Sequence, residues 1–262
     1  MDLREISLYA EEIARGAGEI LLKGFRSPGT VVDYKSDSDL VTSADRESEE
    51  YLYSRIRQRY PDHAVVAEEG SRSHSAEDLI WYVDPLDGTN NFAHGIPMFC
   101  ISIGVYSRRR EAVVAGVVYD PFHDELFSAA RDSGAFLNGE RIRVSRINAL
   151  SIAMLATGFP YDKATSSNNN LREFCSIVPR IQGIRRMGAA ALDLSFVACG
   201  RFDGYWELKL KPWDSAAGSL LVEEAGGSIT KYDGSRYEPE YPEIVASNGI
   251  LHQKILDALQ PG

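Results

Sequence analysis

A chain of 262 residues is long enough for one large domain or two that share a core, and its 44% hydrophobic and 25% charged residues are those of an ordinary globular protein. Lys plus Arg total 28 against 38 Asp plus Glu, a formal charge of -10 that opposes nucleic acid and acidic membrane surfaces as partners. No stretch approaches the ~20 consecutive apolar residues of a membrane helix, and the N-terminus MDLREISLYAEEIARGAGEILLKGF has neither a basic start nor a cleavable apolar core, so a cytoplasmic protein is expected.

Residues 2 to 25 place Leu3, Ile6, Ala10, Ile13, Ala17, Ile20 and Leu21 at three- and four-residue steps, the face of an amphipathic helix. A second helix is expected from about Ala44 to Tyr60, stopped by Pro61. Strand-like runs follow at 64 to 69, 79 to 84, 98 to 106, 111 to 120 and 125 to 130, the last two flanking DPFHD as a hairpin. After about residue 148 strands and helices alternate: SIAMLATG, then NNNLREFCSIV as helix, GIRRMG, AALDLSFVACG as helix, DGYWEL, the helical WDSAAGSLLVEEAGG, SITKY, EIVASN and a C-terminal helix from about Gly249. The expected organisation is therefore α+β, with an antiparallel half over 1–148 and an α/β half over 149–262. The polar run 163 to 170 reads as a surface loop.

Rival chemistries are poorly supported by spacing. Cys100, Cys175 and Cys199 are odd in number and set in apolar surroundings, as buried free thiols would be. Gly16-Ala17-Gly18 lacks the third glycine of a dinucleotide fingerprint and reads as a small helix face. His63, His74, His94, His123 and His252 show no zinc-site spacing, and Arg108-Arg109-Arg110 reads as a solvated turn. Cys100-Ile101-Ser102-Ile103-Gly104 lacks the first glycine of a nucleophile elbow.

The chemistry-bearing stretch is WYVDPLDGTNNF. Val83 closes an apolar strand, and Pro85 forbids a ladder bond at its own position, so a turn is expected there. Asp87-Gly88-Thr89 supplies a turn with Asp87 placed to cap a short helix, and Asp84 and Asp87 flank it. Paired carboxylates raise each other's pKa, and a divalent cation relieves the repulsion; hard oxygen ligands suit Mg²⁺. Read alone, Asp87 is equally a helix cap and Asp84 a strand-end turn residue. Glu68-Glu69-Gly70 and Trp213-Asp214 place further acids at the ends of elements, although Asp214 alone passes as an N-cap.

WYVDPLDGTNNF is similar to the D-P-[IL]-D-G-T-x-x-F signature, and PWDSAAGSLLVEEAGG to the W-D-x-A-A-G signature, of the inositol monophosphatase family of metal-dependent, lithium-sensitive phosphatases. KSDSDLVTSAD, VVAEEG, GIRRMGAAALD and IVASN follow in family order, so the resemblance covers nearly the whole chain. It implies a layered αβαβα sandwich of the sugar-phosphatase type. It also implies that Glu68, Asp84 and the Leu86 carbonyl hold one Mg²⁺, that Asp84, Asp87 and Asp214 hold a second, and that a third lies near Glu68 largely in water. The backbone N–H groups of Gly88 and Thr89 would cradle phosphate, and Asp45 would pair with Thr89 to orient and deprotonate the attacking water. Glu207, the backbone near Ala190, Asp87 and Asp214 would meet sugar or inositol hydroxyls, and an arginine of the Arg185-Arg186 pair, Arg185 being taken, would approach a second anionic group.

The implied activity is hydrolysis of a phosphate monoester, with inositol 1-phosphate favoured by DGTNNF. Lys211 stands where animal members commonly carry histidine, and ATGFPYD looks prokaryotic, so fructose 1,6-bisphosphate is the leading rival or second substrate. Histidinol phosphate, nucleoside bisphosphates and NADP are more distant ones. A non-catalytic phosphate-binding module is the reading from another class, and the resemblance further suggests a homodimer.

Overall fold

The computed structural model describes residues 3–27, 32–36, 39–70, 72–73 and 75–260. Asp37 and Ser38 of the KSDSDLVTSAD stretch, and His74, lie outside the described residues. In chain order the elements are α1 (Leu3–Gly24), β1 (Val32–Ser36), β2 (Asp39–Thr42), α2 (Ser43–Arg59), β3 (Ala64–Ala67), β4 (Arg72–Ser73), β5 (Leu79–Asp87), α3 (Thr89–Ala93), β6 (Cys100–Ser107), β7 (Ala112–Asp120), β8 (Glu125–Ala130), β9 (Gly134–Leu137) and β10 (Glu140–Arg141). There follow β11 (Met154–Thr157), α4 (Leu171–Ile177), β12 (Gly183–Arg185), α5 (Ala190–Ala198), β13 (Gly204–Leu208), α6 (Pro212–Glu224), β14 (Ser228–Thr230), β15 (Glu243–Ser247) and α7 (His252–Leu259).

An eight-stranded sheet runs β10-β9-β8-β7-β6-β5-β3-β4 and is antiparallel except where β3 pairs with β5. A five-stranded sheet runs β12-β11-β13-β15-β14, with β11 parallel to both of its neighbours. Helices α1 and α2 cover one face of the larger sheet, α5 and α6 fill the space between the sheets, and α4 and α7 cover the far face of the smaller one. This is the expected five-layer αβαβα order. Each layer boundary is an apolar core, because a sheet or helix hydrophobic on one face must bury it against another. Ile6, Ala10, Ile13, Ala17 and Leu21 of α1 are all buried, and Gly18 lies flat against the Tyr119 ring, as a small helix face requires.

Helix α6 owes its position to small residues. Gly104 of β6 faces Gly116 of β7 across the ladder, and a Cβ on either would fall within 3.0 Å of Ala216 or Ala217. The absence of side chains there lets the helix backbone approach the sheet closely, which carries Asp214, in its first turn, to the strand ends.

Three expectations need correcting. The strand does not close at Val83: β5 continues through Pro85 to Asp87, its register with β6 shifting between Asp84 and Asp87 where proline offers no N–H. Only Cys100 of the three free thiols is buried, Cys175 being exposed on the outer helix α4. Asn170, placed in a surface loop, is fully buried: its amide donates to Thr157 Oγ1 (2.8 Å) and the Gly158 carbonyl and accepts from Trp206 Nε1 (2.7 Å).

Candidate active site

A cavity of about 560 Å³ opens between the sheets. Glu68, Asp84, Asp87 and Asp214, near enough to repel one another, line it with Leu86, Gly88 and Thr89 and are taken together as one wall; residues 158–162, Arg186, Gly188, Ala190 and Glu207 to Lys211 make up much of the rest.

Local sequence explains each placement on the first wall. Asp84 sits just before the bulge in β5, is 1% exposed, and accepts the Leu86 N–H at 3.0 Å, a bond that folds the Pro-Leu dipeptide back over it. Asp87 does not cap α3, because Gly88 is the N-cap and makes no side-chain bond; Asp87 Oδ2 instead accepts the Ala191 N–H at 2.7 Å. Gly88 has φ 94°, and a Cβ there would come within 2.8 Å of the Met98 carbonyl, so the turn needs glycine on both counts. Pro212 opens α6, and Asp214 lies in its first turn, its Oδ2 accepting the Lys211 N–H at 2.7 Å. Glu68 follows β3, its N–H donating to the Val83 carbonyl at 3.2 Å.

Asp45 lies inside its helix and does not cap it. Thr42 caps α2, and Asp45, fully buried at the third position, accepts the Thr42 N–H at 2.8 Å to close a capping box. Its second oxygen accepts from Thr89 Oγ1 at 3.1 Å, and the Leu86 carbonyl lies 3.0 Å from the same hydroxyl. The Thr89 proton thus has two acceptors within reach, one of them a carboxylate.

Burial makes these charges costly. It drives Asp84 well above the usual carboxylate range, with Glu68, Asp87 and Asp214 adding repulsion; it does the same to Asp214, Glu68 being the next cause. Asp87 rises to about 6, again through burial and against the backbone N–H groups of Ala191, Ala190 and Gly88. Asp45 is raised by burial against its hydrogen bonds from Thr42 and Thr89.

A set of oxygen ligands that repel one another in a shared cavity fits a hard divalent cation. Among the described residues no three His, Cys, Asp or Glu side chains form a metal cage by themselves. Mg²⁺ in general keeps several waters and takes the rest of its octahedron from one or two carboxylates and substrate phosphate.

In the rest of the lining, Glu207 of β13 packs against Gly158, where any Cβ would overlap its carboxylate, and burial raises it to about 7 against a hydrogen bond from Tyr205. Ala190, buried, begins α5. Arg185 does not join the site. It is exposed, lies on edge strand β12 and donates to the neighbouring Ile184 carbonyl (2.9 Å); Arg186, one residue on and past the strand end, lines the cavity. Lys211 also reaches the cavity.

Several residues escaped sequence reasoning. Lys209, with φ 61°, bonds Asp162 at 2.6 Å and Ser166 at 2.9 Å and so pins the 158–162 rim. Asp193, 1% exposed, has one carboxylate oxygen with no hydrogen-bond partner; burial, then Glu207 and Asp87, raise it well above the usual range. Only the spacing of Ser48 and Glu49 after Asp45 offered a signal in advance, since positions three and four apart share a helix face.

Residues 2–261 match the sequence model of the inositol monophosphatase family. An inositol-1-monophosphatase of Synechocystis sp. is 47% identical over 259 residues, covering 98% of this chain and 90% of that protein. Nus factor SuhB of Pseudomonas aeruginosa is 43% identical over 255 residues, covering 95% of this chain and 93% of that one. The solved structure of an inositol monophosphatase from Anabaena (Nostoc) sp. superposes with a TM-score of 0.89 at 41% identity, over 99% of this chain and 96% of that chain.

Proposed function

The chain belongs to the inositol monophosphatase family, and from that premise we propose that its cavity hydrolyses inositol 1-phosphate with Mg²⁺ bound by the carboxylate wall. The chain is a phosphoric monoester hydrolase, as its family and the Synechocystis and Anabaena proteins it resembles are phosphatases. The observation that carries the site reading is the arrival of Glu68, Asp84, Asp87 and Asp214 on one wall beside the Gly88-Thr89 turn.

In this reading Glu68, Asp84 and the Leu86 carbonyl hold one ion, and Asp84, Asp87 and Asp214 a second. Bound Mg²⁺ supplies neutralisation of the phosphate oxygens, acidification of water and stabilisation of the leaving alkoxide. The N–H groups of Gly88 and Thr89 receive the phosphate. Thr89 orients the attacking water, and the water's proton passes by way of the Thr89 hydroxyl to Asp45, whose burial-raised pKa suits a general base. Glu207 and the backbone at Ala190 receive inositol hydroxyls, and Arg186 takes the place first given to Arg185. No cysteine or histidine lines the cavity among the described residues, in keeping with direct attack by water rather than a protein nucleophile.

In the same reading the two halves, 1–148 and 149–262, share this one site, which is supported by residues of each among the cavity lining. Two or three ions, lithium inhibition and a homodimer belong to the same proposal and rest on the family resemblance; a cytoplasmic setting is proposed with them. No helix of the described residues is long and apolar enough to cross a membrane.

The test offers purified protein a panel of inositol 1-phosphate, fructose 1,6-bisphosphate, histidinol phosphate and NADP, with and without Mg²⁺ and Li⁺, and measures released phosphate. Inositol 1-phosphate ranks first by kcat/KM in the expected result, and Asp87→Asn abolishes turnover of every ester alike. A higher kcat/KM for fructose 1,6-bisphosphate would reverse the substrate assignment.

A further inference from the structure

Helix α2 meets the active-site wall along one stripe, and that stripe contains a residue outside both the ligand set and the water-activating pair. Asp45, Ser48 and Glu49 share a face. Asp45 receives Thr89 at 3.1 Å, Ser48 Oγ donates to the Pro85 carbonyl at 3.0 Å, and the Glu49 carboxylate, in a residue 4% exposed, accepts the Glu69 N–H at 2.6 Å. Three successive contacts of one helix thus fix three separate pieces of the wall: the Thr89 turn, the bulge of β5 and the segment after β3.

The third contact matters because of its neighbour. Glu68 and Glu69 lie beyond the end of β3, past its ladder, and Gly70 follows with φ 116°. The Glu68 N–H is tied to Val83, one residue before Asp84. The next N–H is tied to Glu49, so the Glu68 backbone is held on one side by the strand that carries Asp84 and on the other by α2. A ligand ordered in advance loses less conformational freedom when an ion binds than one on a free segment.

We propose that Glu49 is a positioning residue for Glu68, its buried carboxylate setting the reach of the Glu68 side chain toward the ion shared with Asp84. This rests on the reading of Glu68 as a metal ligand. Glu49 acts through the Glu69 backbone and needs no contact with ion or substrate.

The experiment compares wild type, Glu49→Gln, Glu49→Asp and Glu68→Gln. Glu49→Gln keeps the reach and an acceptor oxygen; Glu49→Asp keeps the charge and loses a methylene of reach. Calorimetry gives the Mg²⁺ affinity of the substrate-free protein, phosphate release gives the half-activating Mg²⁺ concentration and kcat, and melting in EDTA reports the fold. Glu49→Asp is expected to weaken Mg²⁺ binding about tenfold or more and to raise the half-activating concentration in step, with kcat at saturating Mg²⁺ within about threefold of wild type. Glu49→Gln is expected to stay within about threefold throughout.

Wild-type Mg²⁺ affinity in Glu49→Asp overturns the proposal, whether or not its melting temperature falls, because a lowered melting temperature alone marks a merely structural role. A Glu49→Gln variant weakened as much as Glu49→Asp also overturns it, by assigning the effect to charge rather than reach. Glu68→Gln separates the two levels. If it binds Mg²⁺ as wild type does, the ligand reading itself fails; if it is weakened while Glu49→Asp is not, the ligand stands and the positioning role falls.

Discussion

Asp45, Asp84, Asp87 and Asp214 stand at or near the ends of regular elements, and each accepts a backbone N–H, from Thr42, Leu86, Ala191 and Lys211 respectively. The rest of the lining is fixed mainly by side chains: Lys209 holds Asp162, Asn170 holds Gly158, and Tyr205 holds Glu207. A backbone donor comes with the fold and resists substitution, whereas a side-chain tie changes with one residue. The phosphate and the water it reacts with are common to every monoester, so their wall is invariant in purpose; the leaving alcohol differs, and its wall is built from parts that can be exchanged. In the proposed function the chemistry thus belongs to the side tied by backbone donors and the choice of substrate to the side tied by side chains.

The sharpest way to break that contrast is to remove the shared acid of the first wall. Asp84→Asn is expected to lower kcat/KM by about 10³-fold or more, equivalent to about 4 kcal/mol of transition-state stabilisation. It should leave the metal-free protein at least as stable as wild type, since a neutral amide replaces a carboxyl whose ionisation is opposed by burial and by Glu68, Asp87 and Asp214. Circular dichroism melting and initial rates check both halves.

Asp45→Asn comes next, with kcat down by about 10²-fold or more as general-base assistance is lost. KM should hold within about threefold, because the pair acts on water and not on the ester. A change confined to KM would move Asp45 into the binding wall.

On the adjustable side the effects are smaller and fall on binding. Glu207→Gln should raise KM for inositol 1-phosphate by about tenfold or more, as a charged hydrogen bond contributes about 1.5–3 kcal/mol, and should reorder the substrate panel while Asp45→Asn does not. Its pH signature follows from burial. The folded Glu207 titrates at about 7 against an ordinary 4.5, so between those values the folded state holds the extra proton, and stability is lost as pH rises toward the folded pKa. Glutamine cannot ionise. In EDTA, Glu207→Gln should therefore gain melting temperature relative to wild type between about pH 5 and about pH 8, and a constant difference would contradict the shift.

Lys209→Ala, breaking a half-exposed ion pair, is expected to alter KM by no more than about threefold, since such pairs contribute about 0.2–1 kcal/mol. A larger effect would show that the 158–162 rim is as rigid as the carboxylate wall.

What could be read in advance follows the same division. The apolar step pattern of residues 3 to 21, the strand runs of the large sheet and the Ala216-Ala217-Gly218 tract all reflect local periodicity or size, and the structure uses them as such. The Asn138-Gly139 turn between β9 and β10, both residues at positive φ, is an equally local signal, and it adds two strands to those expected. Two acids with the spacing of ordinary caps proved to lie at third helical positions, which no single-residue preference distinguishes. The burial of Asn170 depends on Trp206, and the choice of Arg186 over Arg185 on where β12 ends beside the cavity. Such facts belong to the packing of distant segments, and the rest of the lining consists of little else.

The most direct test titrates Mg²⁺ into the wild-type protein, from excess EDTA to saturation, and follows phosphate release from inositol 1-phosphate. The account expects turnover that rises from background and saturates together with Mg²⁺ binding measured calorimetrically on the same preparation. Saturable Mg²⁺ binding with no phosphate released at any concentration would contradict it.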